Sequence, residues 1–122
     1  MPDVWRVYRI KKCRHTFPPK PKLVVLVCKD EEYMGFLVNS EISEYISKKP
    51  YLLACQIVMS ESEYGFLFYK SYLDCARIYP FKDNELVIGL EFVSDKTKAE
   101  IKEVVAKAKT ITGHQRNLIL NS

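Results

Sequence analysis

The side chains best suited to chemistry crowd the first quarter of the chain. Arg6, Arg9, Lys11, Lys12, Arg14, Lys20, Lys22 and Lys29 stand against Asp3 alone up to position 29. Of the 19 basic and 15 acidic residues in all, eleven basic and fourteen acidic ones are left for the rest. A basic segment on a slightly acidic body suits a polyanionic partner, with nucleic acid first in line; the same charges on a solvated face would serve solubility alone. Within this segment Lys11, Lys12, Arg14, Lys20 and Lys22 are the candidate phosphate contacts. His15 titrates near neutrality and suits an acid or base role, or is a plain exposed loop residue. Phe17 and Tyr72 are candidates for stacking on unpaired bases, the usual grip on single strands. Tyr72 alternates with Leu73, which equally fits half-buried packing.

Metal chemistry is not expected. Cys13, Cys28, Cys55 and Cys75 form no Cys-x-x-Cys pair, and the two histidines, His15 and His114, are far apart. Zinc sites need closer ligand pairs, so buried, reduced thiols are the better reading, with no cofactor.

The elements that must position these groups read mainly as strands. The 122 residues suit one domain, and a 48% hydrophobic content supports one core without disulfides or metal. Eight Tyr, six Phe and the Val/Ile runs favour β structure. Val4 to Ile10 is predicted as a first strand. Lys11 to Lys22 is predicted as a loop, because Pro18, Pro19 and Pro21 exclude helix and central strand; their stiffness lowers the ordering cost of binding. Leu23 to Cys28 is a continuous apolar run and predicts a strand buried on both faces, with Gly35 to Val38 as its neighbour.

Asn39 and Ser40 are candidate caps for a short helix carrying Ile42, Tyr45 and Ile46, with Pro50 just beyond its end. Tyr51 to Met59, Phe66 to Tyr69, Tyr72 to Ile78 and Leu86 to Phe92 have strand composition. Ile101, Val104, Val105, Ala108 and Ile111 form a helical apolar stripe, with Thr97 and Glu100 as its capping box and Gly113 as its C-terminal cap. Closely spaced strands predict antiparallel pairing in a curled sheet or small barrel of mixed α+β class, mainly β, closed over by the last helix. No run reaches the ~20 apolar residues that span a bilayer, and the first residues lack a signal core, so a cytoplasmic location is expected.

Several segments resemble the PemK/MazF toxin family. Lys20-Pro21-Lys22-Leu23-Val24-Val25-Leu26-Val27 is similar to the family's basic loop leading into a Val/Leu strand. Phe36-Leu37-Val38-Asn39-Ser40 is similar to its next strand, which ends in Thr or Ser. Ser71-Tyr72-Leu73-Asp74-Cys75-Ala76-Arg77-Ile78 resembles its Asp-Gln strand, and Ile88-Gly89 with Ser94-Asp95 resembles its closing segment. The chain departs from the pattern at Pro2-Asp3 for Gly-Asp, at Cys75 for Gln, and at Pro21 for the loop Arg.

The resemblance implies an SH3-like antiparallel barrel with a short helix after the third strand and an amphipathic C-terminal helix. It also implies a homodimeric, metal-independent endoribonuclease that cleaves single-stranded RNA by 2′-hydroxyl attack and is held in check by an antitoxin protein. Asp74 is then the base, or else a carboxylate bonded to a loop amide. Lys22, with Lys20 beside it and Arg14 as an alternative, steadies the phosphoryl oxygens. Ser40 holds a phosphate oxygen, or else caps a helix. Two other readings stay open: a barrel that binds nucleic acid without cutting it, and a phage- or defence-associated module that binds another protein.

Overall fold

The computed structural model describes residues 1–122. Six strands, β1 (Arg6–Cys13), β2 (Lys20–Lys29), β3 (Tyr33–Asn39), β4 (Gln56–Met59), β5 (Ser71–Phe81) and β6 (Ile88–Phe92), form one sheet. Its order is β4-β5-β3-β2-β1-β6, and every neighbouring pair is antiparallel. The sheet curls into a half-barrel, mainly β as the composition predicts. Four helices complete it: α1 (Glu44–Ser47), α2 (Pro50–Leu53), α3 (Asp95–Lys107) and α4 (Gly113–Leu120). No helix is long and apolar enough to cross a membrane.

Strand alternation divides the apolar residues between the two faces of the sheet. Val7, Val25, Val27, Phe36 and Leu73 pack with Ile101, Val105 and Ile119 of α3 and α4 in the larger core. On the opposite face, Tyr8, Ile10, Val24, Leu26, Leu37 and Phe81 form a second, smaller core. Strand β2 therefore buries both of its faces, as its unbroken Val/Leu run predicts. Burying each such side chain contributes roughly 1.5–3 kcal/mol. Gly35 lets β2 and β3 approach closely: a Cβ there would lie 2.6 Å from Val24 Cγ2 and 2.7 Å from the Val25 carbonyl oxygen.

Two irregularities shape the functional end of the sheet. Between Ile10↔Lys22 and Cys13↔Lys20, β1 advances one residue more than β2, and Pro21 sits in this bulge. Pro21 thus lies within a strand that the proline rule had placed outside it; the bulge, beyond the β3 pairing that begins at Leu23, asks no ladder bond of it. Between Phe36↔Ile78 and Val38↔Leu73, five steps of β5 accompany two of β3. The wide bulge in β5 contains Asp74 to Arg77.

Trp5, just before β1, adopts φ 70°, in the left-handed region. It is held by Trp5 N–H to Leu26 O (2.7 Å) and Val93 N–H to Trp5 O (2.9 Å). Lys98 and Lys102 of α3 place their ammonium groups 5.1 and 5.8 Å from its ring centre.

Several predicted elements differ. Residues 51–59 are not one strand, because Pro50 opens α2, where its missing N–H and fixed φ are suited to the first helical position; only Gln56–Met59 is extended. The short helix after the third strand is capped by Ser43, whose hydroxyl accepts from Ile46 N–H, and not by Asn39 or Ser40. Residues 66–69 form a turn rather than a strand. Helix α3 begins at a Ser94 cap, not at Thr97 and Glu100. The Thr97 side chain is instead buried, and its hydroxyl accepts from Tyr64 Oη at 2.6 Å. Gly113 opens α4 behind a Thr112–Gln115 capping box instead of closing α3.

Candidate nucleic-acid interface

One cleft of about 440 Å³ opens where the start of β2 meets the end of β3. Arg9 from β1, Lys20 and Lys22 from β2, Asn39 at the end of β3 and Ser40 just after it, and Phe68 and Tyr69 from the 66–69 turn line it. Three of the residues singled out in the sequence, Lys20, Lys22 and Ser40, therefore converge. Ser40 is exposed and its hydroxyl makes no hydrogen bond, since Ser43 does the capping.

Lys22 is half-buried, and its Nζ donates to Asn39 Oδ1 at 2.6 Å. Desolvation lowers its pKa from the ordinary lysine value, and the Lys20 charge lowers it further; Cys13 and Asp74 act in the opposite sense. The Asp74 field thus reaches this ammonium, although the two groups form no ion pair.

Asp74 lies outside the cleft lining, on β5. Leu73 and Cys75 on either side point into the larger core, so Asp74 occupies the opposite face of the sheet, which Lys22 shares by its parity with Val24 and Leu26. Its Oδ1 accepts from Gln56 Nε2 (2.9 Å) and from Ala76 N–H (3.0 Å), while Oδ2 accepts from no protein donor. One carboxylate oxygen therefore stabilises the β5 bulge and the other is unengaged. Arg77 lies in the same field: its pKa is raised first by its bond to Tyr79 and, among smaller causes, by Asp74.

The other sequence candidates are elsewhere. Arg14 is tied to Glu85 (3.2 Å) and donates to Pro80 O (3.1 Å). His15 Nε2 lies 2.7 Å from Pro80 O, and its ring stacks on Tyr79 at 4.8 Å and meets Phe81 edge-on at 5.1 Å. These contacts fasten the β1–β2 tip across the sheet to the end of β5 and use both side chains for structure. Lys11 and Lys12 are exposed on the bulge of β1. Phe17 projects fully into solvent at the tip. Tyr72 is half-buried opposite Asn39, with Lys70 Nζ 5.8 Å from its ring centre.

The sequence reading missed Arg9, Asn39, Gln56, Phe68 and Tyr69. The contacts that join Asn39 to Lys22 and Gln56 to Asp74 span 17 and 18 residues, which no local pattern reveals. Phe68 and Tyr69 carried one signal: four consecutive bulky apolar residues cannot all face a core from a short surface segment. No group of three or more His, Cys, Asp or Glu side chains is placed to hold a metal ion.

Compared with models of known protein families and with curated proteins, the sequence matches none.

Proposed function

We propose that this protein is a metal-independent endoribonuclease of the toxin type, acting on single-stranded RNA drawn through the basic cleft. The observation that carries this reading is the convergence of Lys20, Lys22 and Ser40 in one cleft. Asp74 lies outside its lining, keeps Oδ2 free of protein donors and makes a small favourable contribution to the field at Lys22. Asp74 Oδ2 takes the proton from a ribose 2′-hydroxyl, the 2′-oxygen bonds to phosphorus, and the bond to the 5′-oxygen breaks. The products are a 2′,3′-cyclic phosphate and a 5′-hydroxyl. Lys22 faces the charge that develops on the phosphoryl oxygens and supplies the proton to the departing oxygen; Lys20 and Ser40 hold the flanking phosphate. A cytoplasmic toxin of this kind works as a homodimer with a dedicated antitoxin covering the cleft.

Incubation of the purified protein with a long single-stranded RNA in EDTA tests the reading. Cut products with cyclic-phosphate ends are expected, together with a loss of about 100-fold or more in rate on Asp74→Asn combined with Lys22→Ala. Intact RNA, or equal cutting by the double variant, would refute it.

A second reading, binding without cleavage, is favoured by two observations: Asp74 Oδ1 already braces a bulge, and Arg14 is committed to Glu85. It predicts salt-dependent RNA binding with no cut product. A module that binds only another protein would tolerate charge reversal at Lys11 and Lys12 with its partner still bound.

A further inference from the structure

We infer that Phe68 and Tyr69 form a base-stacking platform, which makes the ligand of the cleft a single-stranded polynucleotide rather than a duplex. Phe68 is 91% exposed and Tyr69 57% exposed, adjacent to each other in one turn. Leaving two large aromatic surfaces in water forgoes burial energy that the same segment gains elsewhere, because Tyr64 and Leu67 are buried. The turn is also fixed at both ends. Before it, Tyr64 Oη donates to Thr97 and accepts from Ser94 N–H (3.0 Å). After it, the Ser71 hydroxyl donates to Tyr69 O at 3.2 Å. The two rings are therefore presented on an ordered backbone, and little entropy is lost when a ligand meets them.

Their neighbours name the ligand. Arg9, Lys20 and Lys22 line the same cleft, so cations suited to phosphates face aromatic surfaces suited to bases. Stacked base pairs in a duplex offer no free face except at the ends, whereas every unpaired base does. RNA and DNA single strands both possess such faces, so the platform serves either sugar. The inference relies on the nucleic-acid path of the proposed function but not on cleavage.

Fluorescence anisotropy in EDTA, with labelled single strands and duplexes of equal length in both RNA and DNA, provides the test. Single strands of either sugar are expected to bind at least tenfold more tightly than duplex. Phe68→Ala is expected to weaken single-strand binding about tenfold without changing the dependence on salt. Phe68→Trp should restore it, and Lys20→Ala should reduce the log–log salt slope by about one. Because Phe68 is exposed, unchanged melting of each variant checks that folding is intact. Duplex binding equal to that of single strands, wild-type affinity in Phe68→Ala, or capture of a protein but no polynucleotide would each overturn the platform. Binding with these signatures but no cutting would remove the nuclease proposal and leave the platform standing.

Discussion

A half-buried ammonium gives up its proton more readily than one in water, and Lys22 is such a group. Its ordinary value is 10.5, lowered here by burial first and by Lys20 second. If Lys22 must be charged to act, the rate falls as pH rises through its folded pKa, and the alkaline limb of the kcat/KM profile lies below 10.5. Lys22→Arg, which still faces the phosphoryl oxygens but does not release a proton, is expected to lose the alkaline limb at a markedly lower rate; an unchanged rate and limb would remove Lys22 from the reaction. The linked effect on stability has the opposite sense. Between the folded value and 10.5 the unfolded chain holds a proton that the folded one has lost, so stability rises with pH across that window. At this scale the sequence offered Lys20, Lys22 and Ser40 as separate candidates, and the fold brings them to one cleft. Engagement was not legible: that Arg14 and His15 are spent on Glu85, Pro80 and Tyr79 depends on how the β1–β2 tip folds back.

Strands were legible where periodicity and burial agree. The run from Leu23 to Cys28 reads as a doubly buried strand because no polar residue interrupts it, and β2 is that strand. Phe66 to Tyr69 shares its composition but lies in a turn, since composition alone does not distinguish a buried aromatic from a displayed one. Helix α4 was missed because Gly113 suits a helix end as well as its start, and Thr112 with Gln115 decides for the start. The contact between β2 and β3 carries a prediction at this scale. A methyl at Gly35 meets the Val25 carbonyl oxygen, a backbone atom that cannot swing aside. Gly35→Ala is therefore expected to lower stability by about 1–3 kcal/mol, read as a lower urea midpoint with an unchanged slope. A wild-type midpoint would mean that the two strands separate without cost.

Across the whole molecule, a curled sheet with a core on each face explains why a basic segment spread over the first two strands becomes one cleft. β1 and β2 are adjacent, so Arg9 and Lys22 are close in space although a tip of several residues separates them in sequence. The half-barrel class was accessible from strand spacing, whereas the order β4-β5-β3-β2-β1-β6 was not, because β6 joins β1 across about two-thirds of the chain. That same closure places the chain's one tryptophan, Trp5, where β1 begins and beneath two lysines of α3. The indole is thus a built-in optical gauge of whether the C-terminal half is seated on the sheet. Native emission at the blue end of the tryptophan range is expected, moving red in step with the loss of helical circular dichroism during denaturation. Red emission from the native protein would mean that α3 leaves the ring open to water, and that the two ends of the chain are not joined as described.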